Sequence, residues 1–182
     1  PKVALFSSEE TTTDGVHYHP SVLTTPEALV LYQQMAQAVE NGLTHVVMEV
    51  SSQAYKTKRV FGLTFDLGIF LNISPDHISP IEHETFEEYF LCKQELLLHS
   101  KKMVMNHESD HFEVLENLCQ INHIPYLTYG GSTADYPVIA MDDPRAFELK
   151  SATDPLAING NYALTMFGHF NHENAAAALL AT

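Results

Sequence analysis

Basic residues are scarce in this chain of 182 residues. Lys and Arg total 9 against 23 Asp and Glu, so the net charge is 9 − 23 = −14 at pH 7. Proteins that bind nucleic acid or an anionic membrane surface usually present a basic patch to the phosphates. This composition therefore argues against nucleic acid and anionic membranes as partners.

Cysteines and long apolar runs are also lacking. The two cysteines, Cys92 and Cys119, are far apart and form no C-x-x-C motif, which argues against a disulfide scaffold or a thiolate zinc site and suits a reducing cytoplasm. No apolar run approaches the roughly 18 residues of a membrane span, and no basic and apolar leader opens the chain. No G-x-x-x-x-G-K-[ST] phosphate loop occurs. We therefore expect a cytoplasmic protein without membrane insertion.

Alternating strand and helix patterns predict one α/β domain over residues 1–182, with a mostly parallel sheet flanked by helices. Hydrophobic residues make up 45% of the chain, enough for one substantial core. Short strands broken by Asp, Pro, Asn and Gly over 136–167 predict a small antiparallel subsheet. The predicted strands cover 1–8, 44–52, 65–74, 101–106 and 124–131, and the predicted helices cover 25–42, 86–99, 109–123 and 171 onward.

Glu49 is a carboxylate inside the apolar run VVMEVSS, which is typical of a strand buried on both faces. Burying it without a partner would be costly. Ligands of open α/β sheets bind just beyond the carboxyl ends of the strands, where Glu49, Ser51 and Ser52 would fall. The alternative is a solvent-facing glutamate on an edge strand.

The next predicted strand ends in NISPDHISP, which brings Asp76 and His77 to the equivalent position. An acid and an imidazole would then lie at the same rim as Glu49. A turn with a surface histidine is the alternative. The stretch DHISPIEHETFEE could also bind a metal through His77, His83 and carboxylates, but its spacing matches no common zinc pattern, and most of its charges are expected to be solvated.

Lys93 is directed along the apolar face of a predicted helix. Tyr89, Phe90, Leu96 and Leu97 lie three or four residues from it, and Phe86 lies seven residues, about two turns, before it. A buried lysine has a lowered pKa, which makes its neutral amine nucleophilic. The alternative is a packed stem whose ammonium reaches water.

Five ordered segments resemble the central domain of the Mur ligases, which has a P-loop-NTPase-like fold. They are TTPEAL, MEVSSQAY, KRVFGLTFDLGIFLNISPDHISPIEH, FEEYFLCK and GHFNHENAAAAL, and the similarity extends from Leu23 to Thr182. The family's phosphate loop would lie upstream of Pro1 and its amino-acid-binding domain downstream, so we expect this chain to fold but to be inactive alone.

The resemblance implies an ATP-dependent ligase of peptidoglycan synthesis that forms an amide through an acyl phosphate. FLNISPDHISPIEH is most similar to the branch that adds L-lysine to UDP-N-acetylmuramoyl-L-alanyl-D-glutamate; the branch adding meso-diaminopimelate is the alternative. The family pattern implies that Glu49 and His77 hold Mg²⁺ and that carbon dioxide converts Lys93 to a carbamate that helps to organise the metal. We expect a monomer.

The same resemblance implies two groups of binding residues. Thr24, Thr25, Ser51 and Arg59 match contacts to the UDP-muramyl dipeptide, although Thr25 is also a good helix N-cap and Arg59 could be an exposed charge. In FNHEN, Asn171 and Asn174 match the family's nucleotide contacts and could alternatively cap the last helix.

Three other functions remain open from the sequence. One is a related ligase such as a folylpolyglutamate synthetase, against which MEVSSQAY and the following KRVFGL argue. Another is a metal-dependent hydrolase built on the DH and EH residues. The third is a non-catalytic relative that binds a muramyl ligand or a partner, which Glu49, His77 and Lys93 make less attractive.

Overall fold

The fold is described from a computed structural model that covers residues 2–75, 78–79 and 81–182. The chain divides into two compact units. The first contains Pro1–Leu63 and Asp76–Glu95, and the second contains Thr64–Pro75 and Leu96–Thr182. Each unit has its own sheet, and helix α3, Phe86–Leu98, contributes residues to both. No helix of the described residues has the length and apolar character needed to cross a membrane.

The first unit is built on a four-stranded sheet of order β3-β2-β1-β4. Strands β1 and β4 are parallel, and the other two pairings are antiparallel. Its elements are β1 Val3–Phe6, β2 Glu10–Thr12, β3 His19–Pro20, α1 Ala28–Glu40, β4 His45–Met48 and α2 Ser52–Lys56.

The core of the first unit joins β1 to α1 and to the α2 region. Ala4 and Phe6 alternate on one face of β1, and Leu31 and Ala38 lie seven residues apart on α1, which is the spacing of one helix face. Burial of these side chains holds α1 against the sheet. The residues just before α1, such as Thr25, then lie beside the end of β4.

The second unit contains a six-stranded sheet of order β10-β9-β8-β7-β6-β5. Strands β5 to β8 are parallel, whereas β8, β9 and β10 are antiparallel. The elements are β5 Gly68–Phe70, β6 Met103–Asn106, α4 Phe112–Ile121, β7 Tyr126–Gly130, β8 Tyr136–Ala140, β9 Ala146–Leu149, β10 Gly160–Ala163 and α5 His169–Leu180. The predicted α/β class, mostly parallel sheet and antiparallel subsheet are confirmed.

Helix α5 covers this second sheet through its small residues. Ala176 and Ala177 are buried beside Tyr129, Tyr136 and Phe147 in one apolar cluster. Alanines let the helix approach the aromatic side chains closely, and large rings fill the space that the alanines leave.

Candidate active site

Six of the predicted site residues line one pocket of the first unit. The pocket has a volume of about 400 Å³, and these six residues are Thr24, Thr25, Glu49, Ser51, Arg59 and Lys93. This volume is within the range of pockets that bind small molecules. A second pocket of about 470 Å³, lined by the β2–β3 hairpin and α1, contains none of the predicted site residues.

Glu49 directly follows β4 and is held at the pocket by the loop after β1. Its backbone N–H donates to the Phe6 carbonyl at 2.8 Å, and its Oε2 accepts a hydrogen bond from the Ser8 N–H at 2.9 Å. The prediction of a position just beyond the carboxyl end of a strand is therefore confirmed.

The predicted burial of Glu49 is wrong. The residue is exposed, and Val47 of the preceding strand is 57% exposed. The physical reason is the strand order, because β4 lies at the edge of its sheet and not in its middle. The alternative of a glutamate at an edge strand is the one observed, although its carboxylate also lines the pocket.

Lys93 extends from α3 into the same pocket and is half-buried. Burial lowers the pKa of the Lys93 ammonium below its usual value, and the Glu49 carboxylate acts in the opposite direction. The ammonium lies 5.7 Å from the centre of the Tyr89 ring. No salt bridge or hydrogen bond to Lys93 is found within the described part of the chain.

Thr25 is fully buried and joins the segment before α1 to the end of β4. Its hydroxyl donates to the Glu49 carbonyl at 3.0 Å and accepts from the Ser51 N–H at 3.0 Å. The prediction that Thr25 caps α1 is wrong, because the N-cap residue is Glu27, without a side-chain cap. The two long-range bonds hold the Thr25 hydroxyl away from the helix.

Ser51 and Arg59 are both held by local contacts. Ser51 is the N-cap of α2, where its hydroxyl accepts from the Ala54 N–H at 3.2 Å. The Arg59 side chain is only 12% exposed, its Nη2 lies 3.0 Å from Glu27 Oε1, and its Nη1 donates to the Thr25 carbonyl at 3.2 Å. The alternative of a freely exposed Arg59 is wrong, since this ion pair and carbonyl contact fix the guanidinium at the pocket.

Asp76 and His77, which were predicted to lie at the same rim as Glu49, are outside the described residues, and His77 is one of the predicted Mg²⁺ ligands. Of the predicted Mg²⁺ ligands, the pocket thus includes Glu49 and Lys93. In the described ranges, no group of three or more His, Cys, Asp and Glu residues could hold a metal ion.

Asn171 and Asn174 lie in the second unit, inside α5. Asn171 is half-buried and its Nδ2 donates to the Phe167 carbonyl at 2.8 Å, whereas Asn174 is exposed. The capping alternative is wrong for both residues, because α5 begins at His169 and its N-cap residue is Gly168. The asparagines lie in the first two turns of the helix.

Sequence reasoning named Ser52 and His83 separately but missed that they form a buried pair in the lining of the pocket. Ser52 Oγ and His83 Nε2 are 2.8 Å apart and separated by 31 residues in the chain. His83 is fully buried, so the expectation that this charged stretch is mostly solvated is wrong for His83. No local pattern signals such a contact; the only available indication was a histidine beside a predicted helix start.

Comparison with known proteins identifies the family of this chain. The Mur ligase middle domain family matches residues 3–182. The chain is 50% identical, over its full length, to the UDP-N-acetylmuramoyl-L-alanyl-D-glutamate--L-lysine ligase of Enterococcus faecalis V583, and 49% identical to the UDP-N-acetylmuramyl-tripeptide synthetase of Lactococcus lactis subsp. cremoris MG1363. The chain belongs to the Mur ligase middle domain family.

Solved structures show the same relationship. A UDP-N-acetylmuramoyl-L-alanyl-D-glutamate--2,6-diaminopimelate ligase superposes over 98% of this chain and 37% of its own, with a TM-score of 0.75 and 27% identity. A pseudomurein peptide ligase type C from Methanothermus fervidus shares the fold, with a TM-score of 0.56 and 18% identity. The chain spans 36% of the length of the Enterococcus and Lactococcus relatives.

Proposed function

We propose that this chain is the central domain of an ATP-dependent ligase that adds L-lysine to UDP-N-acetylmuramoyl-L-alanyl-D-glutamate in peptidoglycan synthesis. The observation that carries this proposal is the pocket that gathers Glu49 and Lys93 with Thr24, Ser51 and Arg59. These side chains offer a carboxylate, an amine, hydroxyls and a guanidinium. That combination suits an anionic substrate and a phosphoryl-transfer reaction.

The amine substrate is inferred from the relatives. Identity reaches 50% with a protein named as the L-lysine ligase and 27% with one named as the 2,6-diaminopimelate ligase. This difference favours the L-lysine branch over the meso-diaminopimelate branch. In the reaction, the γ-phosphoryl group of ATP would pass to the substrate carboxylate, the amine would attack the resulting acyl carbonyl, and phosphate would leave as the amide forms.

Glu49, His77 and a carbamate on Lys93 would hold Mg²⁺. Mg²⁺ prefers oxygen ligands, which the Glu49 carboxylate and a carbamate supply and an ammonium does not. Bound Mg²⁺ would neutralise charge on the phosphoryl group in transfer. The Ser8 N–H, which donates to Glu49 Oε2, fixes the direction of that carboxylate.

The surroundings of Lys93 favour carbamate formation. A lysine with a lowered pKa has more neutral amine, whose lone pair can attack the carbon of carbon dioxide. The N–C bond forms, one C–O π pair moves to oxygen, and the nitrogen loses a proton to water. The product is a planar anion in place of a cation, which removes the cost of burying an ammonium.

Thr24, Thr25, Ser51 and Arg59 would contact the UDP-muramyl dipeptide, with Arg59 pairing to an anionic group. Thr25 is fully buried, so its contribution would come through the backbone that it holds. Asn171 and Asn174 would contact the nucleotide. We further propose that residues 1–182 work within a longer monomeric polypeptide in the cytoplasm and are inactive alone.

The test uses the full-length polypeptide that carries this chain. ADP release would be measured with the UDP-muramyl dipeptide, ATP and Mg²⁺, offering L-lysine and meso-diaminopimelate separately. We expect release that depends on L-lysine and falls roughly hundredfold or more in Lys93→Ala. Lys102→Ala, which changes an exposed lysine, is the matched control and should retain activity.

Isotopically labelled bicarbonate provides a separate test of the carbamate. A carbamate carbon signal in NMR that disappears in Lys93→Ala and persists in Lys102→Ala would support the modification.

Absence of ADP release with either amine from folded protein would contradict the assignment of this ligase to the step that adds the third residue of the peptide. A transition metal retained by the purified protein without nucleotide would favour the metal-dependent hydrolase.

A further inference from the structure

His83 lines the pocket and makes a buried polar contact with the start of α2. Its Nε2 is 2.8 Å from Ser52 Oγ, and the two residues are 0% and 6% exposed. A buried hydrogen bond between residues distant in sequence is costly to lose, because each partner would remain desolvated. The bond therefore ties His83 to α2, which begins next to the N-cap residue Ser51.

The segment that ends at His83 is attached to α2 at two further points. Gln53 Nε2 donates to the Ile81 carbonyl at 3.5 Å, and Lys56 Nζ donates to the Glu82 carbonyl at 2.7 Å. These two bonds and the Ser52–His83 bond involve consecutive residues of the segment. Helix α2 thus holds the residues 81–83 in one arrangement.

The segment also closes on itself at His83. The Ser79 N–H donates to the His83 carbonyl at 2.9 Å, and Ile78 forms a β-bridge with His83. Ile78 directly follows His77 in the sequence. His83 is therefore in contact with two residues, Ile78 and Ser79, that follow His77 closely in the sequence.

The His83 ring also contacts α3. Its centre is 5.4 Å from that of the Tyr89 ring, and Tyr89 is 4% exposed. The Lys93 ammonium is 5.7 Å from the same Tyr89 ring, one helical turn further along α3. His83 therefore contacts both α2, whose N-cap residue is Ser51, and the helix that carries Lys93.

We propose that His83 is a positioning residue of the ligase reaction, acting through Ser52 and Tyr89 to hold α2, residues 81–83 and the Lys93 helix in register. This inference rests on the proposed function. It assigns no proton transfer to His83, whose ring lies against protein groups. The expected signature is a loss of kcat and a higher Mg²⁺ requirement, with a smaller change in KM for the UDP-muramyl dipeptide.

The experiment compares His83→Leu, Ser52→Ala and the double variant in the full-length polypeptide. The net contribution of one intramolecular hydrogen bond corresponds to a change of about two- to tenfold, and a buried partner left unsatisfied increases the change further. We expect kcat to fall about fivefold in Ser52→Ala and about tenfold or more in His83→Leu. The double variant should be no worse than His83→Leu, because both changes remove the same bond.

Two further variants separate positioning from general damage. His83→Gln retains a polar atom near the Nε2 position and should recover most of the kcat lost in His83→Leu. His19→Leu makes the same exchange at an exposed histidine and should have no effect on kcat. Melting temperatures are measured for all variants, and if His83→Leu does not fold, Ser52→Ala and His83→Gln carry the test.

Three outcomes would overturn the inference. They are wild-type kcat and Mg²⁺ dependence in His83→Leu, losses in the single variants that multiply in the double variant, or a His83→Gln variant as impaired as His83→Leu. An inactive wild-type protein would instead contradict the proposed function. The two failures are therefore distinguishable.

Discussion

Removing the hydroxyl of Tyr129 should stabilise the protein. Tyr129 lies on β7 in the core of the second unit, it is fully buried, and its hydroxyl has no hydrogen-bond partner among the described residues. Burial, with the Glu173 carboxylate nearby, raises the pKa of this phenol. An unpaired buried hydroxyl costs about 1–3 kcal/mol, and Tyr129→Phe removes it while keeping the ring. We expect a gain of about 1–2 kcal/mol in the free energy of unfolding.

Tyr136→Phe is the matched control and should have the opposite sign. Tyr136 is equally buried in the same cluster, but its hydroxyl donates to Asp154 Oδ1 at 3.2 Å and accepts from the Leu156 N–H at 3.1 Å. Deleting it leaves both partners without this contact, at an expected cost of about 1–3 kcal/mol. Both substitutions keep the aromatic ring, so the difference between their unfolding free energies reports the hydrogen bonds of the hydroxyl and not the packing of the ring.

Urea unfolding followed by circular dichroism and calorimetry measures both variants. For a chain of this size, about 2–4 °C of melting temperature corresponds to each kcal/mol, so Tyr129→Phe should melt about 2–8 °C higher. A lower melting temperature for Tyr129→Phe would refute the reasoning, because it would mean that the hydroxyl is satisfied, for example by a buried water. An unchanged Tyr136→Phe would show that its two bonds contribute nothing net.

Three other predictions concern named side chains. Burial raises the pKa of the Cys119 thiol to about 11, so alkylation of the native protein should be slow at pH 8 and rise towards pH 11. Because the unfolded thiol ionises first, Cys119 lowers stability as the pH rises from 9 to 11, and Cys119→Ser should show a smaller fall, the remainder coming from buried groups such as Tyr129 whose pKa is also raised. Thr25→Val should cost about 1–3 kcal/mol in urea unfolding by removing the bonds to Glu49 and Ser51, whereas Thr25→Ser should retain most of the stability. Arg59→Lys should raise KM for the UDP-muramyl dipeptide roughly tenfold, because an ammonium lacks the planar guanidinium that can contact the Thr25 carbonyl, the Glu27 carboxylate and a ligand at once. An unchanged KM would show that Arg59 is not part of the binding site.

Local sequence patterns were enough to predict most strands and helices. The apolar run MVMN became β6, whose four residues are all buried, and Thr85 and Glu88, at the start of α3, have the spacing of a capping box, in which the Thr85 hydroxyl accepts a hydrogen bond from the Glu88 N–H at 3.1 Å. The reciprocal bond differs, because the Glu88 carboxylate accepts from the Glu84 N–H instead of the Thr85 N–H. Such patterns succeed because periodicity and capping depend on residues within a few positions of each other.

Predictions that depended on strand order or on distant partners were less successful. The run VVMEVSS indicates a strand, but an apolar run does not tell a central strand from one at the edge of its sheet, and β4 is at the edge. The local sequence around Thr25 is also compatible with a hydroxyl that caps α1. Its bonds to residues 24 and 26 positions away decided otherwise.

The sequence by itself determined the α/β class, the family resemblance and the chemical character of Glu49 and Lys93, because these follow from composition, spacing and residue type. Only the tertiary structure decided which side chains share a pocket. His83 meets Ser52 across 31 residues, and Ser8 reaches Glu49 across 41. Contacts over such separations arise from packing helices on a sheet, and no local pattern encodes which partner a buried polar group will find.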